Sequence, residues 1–260
     1  HLGVEVPHEH GRLVALLRRR AALAGRDHLA RARDRERRDG LVVAAQELLV
    51  VRVVEVLDDR PFADCLAERV LQPLGMHDTS FRVPDERVDR LSSCYGFAPG
   101  AAPALVDPGP TSAFREPSWH SGGGGLVSTT GDYHRFCSAL VGGGMLDGAR
   151  ILGPRTLRSM MANHLPGGAH LDQVGDPLYT PGFFAGCGFG LGFATVEDPA
   201  AGRILASRGE ASWGGMASTA FWVDPVEGIH AVFMTQLVPS GTHVSLRWDL
   251  RTLVNQAILD

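Results

Sequence analysis

The sequence predicts an α+β fold in which helical segments come first and an antiparallel sheet, closed by a helix, comes last. The last seventy residues are short β-branched or aromatic runs separated by Gly, Pro and Asp, which is typical of an antiparallel meander. The final segment returns to helical spacing, so one of its faces should lie on that sheet. The expected strands are 188–196, 203–207, 217–224 and 229–237, and the apolar positions of the last helix are Leu246, Leu250, Leu253, Val254, Ala257 and Ile258.

Two earlier helices have clear start and stop signals. Pro61 suits the first turn of one helix, and Gln72-Pro73 ends it. Residues 128–132, Ser-Thr-Thr-Gly-Asp, provide hydroxyls and an acid that can cap a second helix, which should continue to Val141 and stop at three glycines. Residues 76–125 between them are rich in Pro, Gly and Asp and should be mostly loop. The expected core faces are Phe62, Cys65, Leu66 and Val70 in the first helix, and Tyr133, Phe136, Cys137, Leu140 and Val141 in the second.

Composition limits the classes of partner. The 260 residues are 44% hydrophobic, enough for one large domain or two subdomains, and the net charge is −4. A negative net charge disfavours nucleic acid and anionic membrane surfaces as partners. Apolar runs such as 41–51 and 229–238 are short or carry polar residues, so we expect a soluble protein with no membrane span. A cytoplasmic location is favoured, while the compartment and the oligomeric state stay open.

No metal or cofactor is expected. The four cysteines lie 29, 43 and 50 residues apart without a C-x-x-C pair, so they should be free and mostly buried thiols: Cys65, Cys94, Cys137 and Cys187. His8 and His10 flank Glu9 near the start of the sequence, but no third ligand is in view, so solvated side chains are expected there.

The basic residues are unusual because all 25 are Arg, and the chain contains no Lys. Ten of the first forty residues are Arg, and residues 1–79 contain no Ser, Tyr, Asn or Trp. Residues 12–38 could form a solvated basic helix, or residues 1–45 could be sequence translated out of frame. We therefore divide the chain into an uncertain Arg-rich segment (1–47), a helical and loop-rich subdomain (48–185) and a sheet subdomain with the C-terminal helix (186–260).

Four segments occur in an order that is informative when they are taken together. They are 61–79, ending in PLGMHDT; 119–130, WHSGGGGLVSTT; 212–225, with WGG and FWVDP; and 233–237, FMTQL. Together they resemble serine hydrolases of the class C β-lactamase and esterase family, which share the penicillin-binding-protein fold. The resemblance covers residues 48–260 and implies a mostly helical subdomain beside an antiparallel sheet flanked by helices, with the active site between them. It also implies acyl transfer by the serine of an S-x-x-K motif, assisted by a tyrosine in a Y-x-N or Y-S-x motif.

Only some of the site motifs that the resemblance implies have a counterpart in this sequence. Trp213-Gly214-Gly215 occupies the position of K-T-G, where an aromatic in place of lysine favours an ester over a lactam substrate. The glycines would let substrate approach the strand edge, and the N–H of Met216 would donate to the oxyanion. Trp213 could instead be a core aromatic, and Glu210 is expected to be an exposed loop acid.

No catalytic nucleophile, lysine or tyrosine can be assigned. The S-x-x-K motif is absent, and residues 38–47, where the tyrosine motif belongs, contain neither Tyr nor Asn. We expect the missing serine to lie upstream of His1, so that the N-terminal portion of the fold is missing. Three interpretations stay open: an incomplete and inactive hydrolase, a decayed paralogue, or a noncatalytic relative that binds a ligand in the former active-site cleft.

Overall fold

The computed structural model describes residues 50–97, 102–174, 182–240 and 244–258. Contacts divide the chain into two units, His1–Leu57 with Ser121–Gly123, and Asp58–His120 with Gly124–Asp260. Helix α1 runs through residues 50–58, of which 50–57 belong to the first unit and Asp58 to the second. Within α1, Arg52 forms an ion pair with Glu55 at 3.2 Å. The expectations for residues 1–47, including His8 and His10, lie outside the described residues.

The second unit begins with the helix that Pro61 was expected to start. Helix α2 spans Phe62–Leu66 and continues as one π-helical stretch, Ala67–Leu71, which stops at Gln72. This confirms the expected start and end, and Cys65 is buried as predicted. The following Leu74 is fully buried and packs with Leu71, Met76 and Ala139.

Helix α3 spans Thr130–Val141 and confirms the predicted cap, length and stop. The Thr129 hydroxyl accepts a hydrogen bond from the N–H of Asp132 at 3.1 Å. The Asp132 carboxylate accepts two more, from the N–H of Asp78 at 2.7 Å and from the hydroxyl of Thr79 at 2.8 Å. The end of PLGMHDT and the start of α3 are therefore joined through one carboxylate.

The segments on either side of α3 contain short elements. The described residues of 76–125 are mostly loop, as expected. They also include two strands that were not expected, β1 (Cys94–Gly96) and β2 (Ala104–Asp107). A small hairpin, β3 (Met145–Leu146) and β4 (Ala149–Arg150), follows α3, and α4 spans Pro154–Met160. Short 3-10 helices lie at Asp85–Arg90, Gly109–Thr111, Ala113–Arg115, Pro166–Gly168 and Leu171–Gln173.

The last part forms a five-stranded antiparallel sheet in the order β5-β6-β7-β8-β9, as the meander predicted. Strand β10 (Leu237–Val238) instead pairs in parallel with β1, which is also antiparallel to β2. The five strands are β5 (Cys187–Phe189), β6 (Ala194–Val196), β7 (Ala211–Gly214), β8 (Ala220–Asp224) and β9 (Ile229–Phe233).

Two predicted strands are wrong. The run 188–196, expected as one strand, is the antiparallel pair β5 and β6 joined by a turn at 190–193. Residues 203–207 have no strand structure, and helix α5 (Pro199–Gly202) precedes them. The Asp198 carboxylate caps α5 by accepting from the N–H groups of Ala200 and Ala201, both at 3.0 Å. Arg203 then adopts φ 53°, a left-handed conformation that turns the chain out of the helix. The apolar run Ile204-Leu205 was mistaken for a strand because it lies between two turn-forming segments.

Helices α3 and α6 pack on the sheet, which confirms an α+β fold with an antiparallel sheet flanked by helices. Helix α3 contacts β8 and β9, and its Cys137 and Leu140 join Phe221 and Val223 in the main apolar core. Helix α6 spans Val244–Gln256. None of the helices in the described part of the chain is long and apolar enough to cross a membrane.

The buried face of α6 agrees with the prediction only in part: Leu250, Val254 and Ile258 are half-buried, but other apolar positions are exposed. Leu246 and Leu253, expected to pack on the sheet, are 41% and 64% exposed. Arg247 and Arg251 lie one turn apart and contact the ends of β7 and the middle of β8 instead. The helix was correctly placed from its apolar spacing, but charged side chains make its contacts with these strands.

Candidate active-site wall

The predicted site residues lie at the end of β7 and in the turn that follows it. Strand β7 pairs with β8 along its whole length, with Trp213 opposite Phe221 and Gly214 opposite Ala220. Strand β6 pairs with Ala211 and Ser212 but not with Trp213 or Gly214. Within the described residues, the second half of β7 is therefore paired on its β8 side but not on its β6 side, which leaves the strand edge that an extended substrate could use.

Trp213 is half-buried in a cluster of aromatic rings. Its ring stacks on Phe184 with centroids 5.8 Å apart and meets the edge of Phe189 at 5.1 Å. It also packs against the core that contains Phe221. Trp213 consequently serves both as a core aromatic and as part of the surface beside the strand edge, so the two interpretations offered by the sequence are compatible.

The two glycines are required by contacts within the protein. A Cβ on Gly214 would lie 2.7 Å from Nη1 of Arg247 and 2.7 Å from the carbonyl oxygen of Thr219. A Cβ on Gly215 would lie 2.5 Å from Oγ1 of Thr219. All three distances are shorter than a Cβ tolerates, but only the Thr219 carbonyl is a backbone atom that cannot rotate away. Room for substrate, the role expected from the sequence, stays a prediction, whereas the backbone of Thr219 already disfavours a side chain at Gly214.

The turn after Gly215 is held by four backbone or side-chain hydrogen bonds. The N–H of Ser218 donates to the Gly215 carbonyl, and the N–H of Gly215 donates to the Thr219 carbonyl, both at 3.1 Å. Ser218 has φ 66°, and its hydroxyl donates to the Leu237 carbonyl at 2.7 Å. The N–H of Leu237 donates back to Ala217 at 3.1 Å. The turn is thus tied to β10, while the side chain of Met216 is 77% exposed.

A mostly apolar cavity of about 310 Å³ lies between this part of the sheet and α6. Its size and aromatic lining are those of a small-molecule pocket. The Nε1 of Trp222 is buried and has no hydrogen-bond partner among the described residues. The lining includes Phe183, Phe184, Trp213, Gly214, Trp222, Arg247, Trp248 and Arg251.

Glu210 was expected to be an exposed loop acid, and this is wrong, because it is 1% exposed. It forms an ion pair with Arg251 at 2.6 Å, and the Arg251 guanidinium also lies 5.4 Å from the centre of the Trp222 ring. Burial raises the pKa of Glu210 to about 7; Arg251 opposes this shift and Asp224 adds to it. Glu210 therefore anchors α6 to the start of β7.

The described residues supply no activated cysteine that could replace the missing serine. All four cysteines are free, as predicted, and Cys65, Cys137 and Cys187 are buried. Burial raises the pKa of Cys137 to about 12 and that of Cys187 to about 11, so both stay protonated near neutral pH. A hydrogen bond with Asp58 and burial raise the pKa of Cys65, and burial raises that of Cys94.

Neither of the two tyrosines in the described residues is an evident base. The ring of Tyr133 is packed edge-on against Phe136 and Phe221, with centroids 5.6 and 5.3 Å apart. Burial raises its pKa far above the usual value, which opposes proton abstraction. Tyr95 is an exposed residue of β1. Among the described residues, no group of three or more His, Cys, Asp or Glu side chains could hold a metal ion.

Sequence reasoning missed Arg247 and Arg251 as neighbours of the site. Both lie on the polar stripe of α6, four residues apart, and a pair of arginines on a helix is ordinarily a solvated face. Nothing in the sequence indicates that Glu210, the residue immediately before β7, is buried and pairs with Arg251.

The antiparallel sheet flanked by helices, with the W-G-G sequence at the end of β7, is the arrangement expected for a β-lactamase-related serine hydrolase. The Beta-lactamase family profile matches residues 44–256. This chain therefore belongs to the β-lactamase family.

Curated relatives include an esterase. Protein Rv1367c of Mycobacterium tuberculosis is 33% identical over 190 residues, which cover 72% of this chain and 46% of that protein. Esterase EstB of Burkholderia gladioli is 27% identical over 215 residues, 78% of this chain and 51% of the esterase. The chain spans about half the length of these curated relatives.

Solved structures share the fold. EstCE1, described as a hydrolase with promiscuous acyltransferase activity, superposes with a TM-score of 0.64 at 25% identity, covering 78% of this chain and 53% of that chain. Simvastatin synthase (LovD) from Aspergillus terreus superposes with a TM-score of 0.67 at 19% identity, covering 81% and 54%.

Proposed function

We propose that this chain forms one wall of an acyl-transfer site for a small-molecule ester, less favourably a lactam, and that the polypeptide alone does not turn substrate over. The observation that carries the proposal is the edge of β7 at Trp213-Gly214 that β6 leaves unpaired, followed by a turn in which Met216 is 77% exposed. Trp213 and Gly214 would bind the acyl portion, and the N–H of Met216 would stabilise the oxyanion.

The preference for an ester rests on the aromatic side chain at the first position of W-G-G. Trp213 is surrounded by Phe184 and Phe189, so it offers an apolar surface and no positive charge to the carboxylate of a lactam antibiotic. The similarity to Esterase EstB points in the same direction.

The lack of turnover rests on the residues that acyl transfer in this family needs. The chain has no lysine, and the cysteines and Tyr133 have pKa values that oppose their use as nucleophile or base. A wall and an oxyanion donor without a nucleophile bind the acyl group but do not cleave it.

The test uses the purified chain with p-nitrophenyl acetate, p-nitrophenyl butyrate and a chromogenic cephalosporin. Hydrolysis should not exceed that of the heat-denatured chain at the same concentration. Turnover that saturates with substrate and is abolished by a single Ser or Cys substitution would show that the chain carries its own nucleophile.

A noncatalytic binding role is a second candidate, favoured by the intact apolar cavity beside Trp213. This role requires that the chain alone hold its ligand tightly, which one wall of an incomplete site should not do. A nonhydrolysable amide analogue of the butyrate ester should then bind saturably and protect the chain against thermal unfolding. Absence of any binding, together with absence of turnover, would favour a decayed paralogue.

A further inference from the structure

We propose that Arg247 of α6 is a positioning residue that fixes the peptide group between Gly215 and Met216, so that the Met216 N–H points away from α6 as an anion donor. The role assigned to that N–H rests on the proposed function. The orientation itself follows from contacts in the described residues and can be tested separately.

The carbonyl side of this peptide is held by two donors. Nη2 of Arg247 donates to the Gly215 oxygen at 2.9 Å, and the N–H of Ser218 donates to the same oxygen at 3.1 Å. The peptide is trans, so its C=O and N–H point in opposite directions. With the oxygen held on the α6 side, the N–H of Met216 is directed to the opposite side.

Arg247 also changes how well that N–H donates. A bond from a charged guanidinium to a carbonyl is stronger than one from a neutral amide. It draws electron density toward the oxygen, and hydrogen bonds along one peptide reinforce each other. The N–H of Met216 therefore becomes a better donor to a negatively charged oxygen than the turn alone would make it.

The position of Arg247 is fixed by its surroundings. One helical turn further on, Arg251 is held by the buried Glu210 and lies against Trp222, which anchors α6 over β7 and β8. Nη1 of Arg247 lies 2.7 Å from where a Cβ of Gly214 would be. The glycine at position 214 thus makes room for the guanidinium, and the W-G-G sequence and the arginine of α6 act as one unit.

The experiment is NMR spectroscopy of the full chain labelled with ¹⁵N and ¹³C, titrated with methylphosphonate as a tetrahedral oxyanion probe. In the unaltered protein, the Met216 amide proton should shift downfield saturably as methylphosphonate is added. In Arg247→Met the Gly215 carbonyl carbon should shift upfield before any titration. The apparent methylphosphonate affinity at Met216 should then fall by about fivefold or more, as the loss of a charge-assisted bond implies.

Two further variants separate positioning from general effects. Arg247→Lys keeps a charged donor and should restore part of the Gly215 carbonyl shift and of the probe affinity. Arg208→Met removes one positive charge from an exposed residue whose guanidinium pairs with Glu197 at 3.6 Å, so it controls for the change in net charge and should leave both signals unaltered. If Arg247→Met unfolds by circular dichroism, Arg247→Lys and Arg247→Gln provide the comparison.

The two proposals fail in different ways. Unchanged Gly215 carbonyl and Met216 amide signals in the folded Arg247 variants would overturn the positioning role. A Met216 amide that ignores methylphosphonate in the unaltered protein, while the Gly215 carbonyl still responds to Arg247→Met, would overturn the oxyanion assignment and leave the positioning role standing.

Discussion

Helices α3 and α6 both pack on the same sheet, but their contacts have opposite chemistry. Helix α3 contributes Cys137 and Leu140 to an apolar core with Phe221 and Val223. Helix α6 contacts the sheet region through Arg247, which binds a backbone carbonyl, and Arg251, which binds a buried carboxylate. Apolar area stabilises the fold at α3, whereas directional contacts at α6 set the geometry of the strand that carries the candidate site.

The largest expected effect is at the α3 contact. Leu140 is 2% exposed, and Leu140→Ala should lower the free energy of unfolding by about 3 kcal/mol, because it removes buried apolar atoms and leaves a cavity. Leu253→Ala, at a leucine of α6 that is 64% exposed, is the matched control and should cost less than about 1 kcal/mol. Chemical denaturation of both variants measures this difference. Equal losses would show that α6 also stabilises the fold by apolar burial.

Burial of Glu210, the carboxyl that pairs with Arg251 of α6, should make stability depend on pH. The pKa of Glu210 rises from 4.5 to about 7 on folding, so the folded chain binds more protons than the unfolded chain between these values. Stability should therefore decrease as the pH rises through this window, on the order of 3 kcal/mol in total.

Urea denaturation across this pH range, with and without Glu210→Gln, measures that dependence. The substitution should flatten the profile, since a glutamine does not titrate. Asp85→Asn, at a carboxyl that is 85% exposed, should leave the profile unaltered. A profile that keeps its slope in Glu210→Gln would assign the pH dependence to another group.

Gly214→Ala should disturb the contact between α6 and β7. The added Cβ would meet both the Arg247 guanidinium and the Thr219 carbonyl, and crowding of this kind costs about 1–3 kcal/mol. The control is Gly124→Ala, because a Cβ there has no neighbour within 4 Å. Thermal melts of the two variants should differ by several degrees. A Gly214→Ala variant as stable as the control would mean that Arg247 moves aside freely.

The smallest effect is expected where α3 meets β9. Nδ1 of His134 and Nε2 of His230 share a hydrogen bond at 2.7 Å. Burial and the neighbouring His134 lower the pKa of His230, so the folded chain binds fewer protons than the unfolded one, and stability should be lost as the pH falls below the usual histidine range.

Because this pair is partly exposed, its contribution should be under about 1 kcal/mol. The measurement is the drop in melting temperature between neutral and mildly acidic buffer. His230→Gln should reduce that drop, and His164→Gln, at a histidine bonded to the Ser159 carbonyl, should not. Equal acid sensitivity in both variants would exclude the histidine pair as its source.

These regions also differ in how well the sequence predicted them. Helix α3 was predicted from Thr129 to Val141 because caps, apolar spacing and terminating glycines all lie within the segment itself. The strand expected at 203–207 was wrong, because the cap by Asp198 and the left-handed Arg203 outweigh the β preference of Ile204 and Leu205. The division at residue 185 and the substrate-binding role of residues 213–216 stay predictions.

The sequence by itself determined the α+β class, the bounds of α2 and α3, the W-G-G strand and the absence of lysine, since each of these is a local pattern or a count. Only the tertiary structure decided that Glu210 is buried, that Arg247 reaches the Gly215 carbonyl and that Gly214 must lack a side chain. The reason is physical: those contacts join residues more than thirty positions apart, and nothing in either segment alone specifies which charged side chain meets which strand.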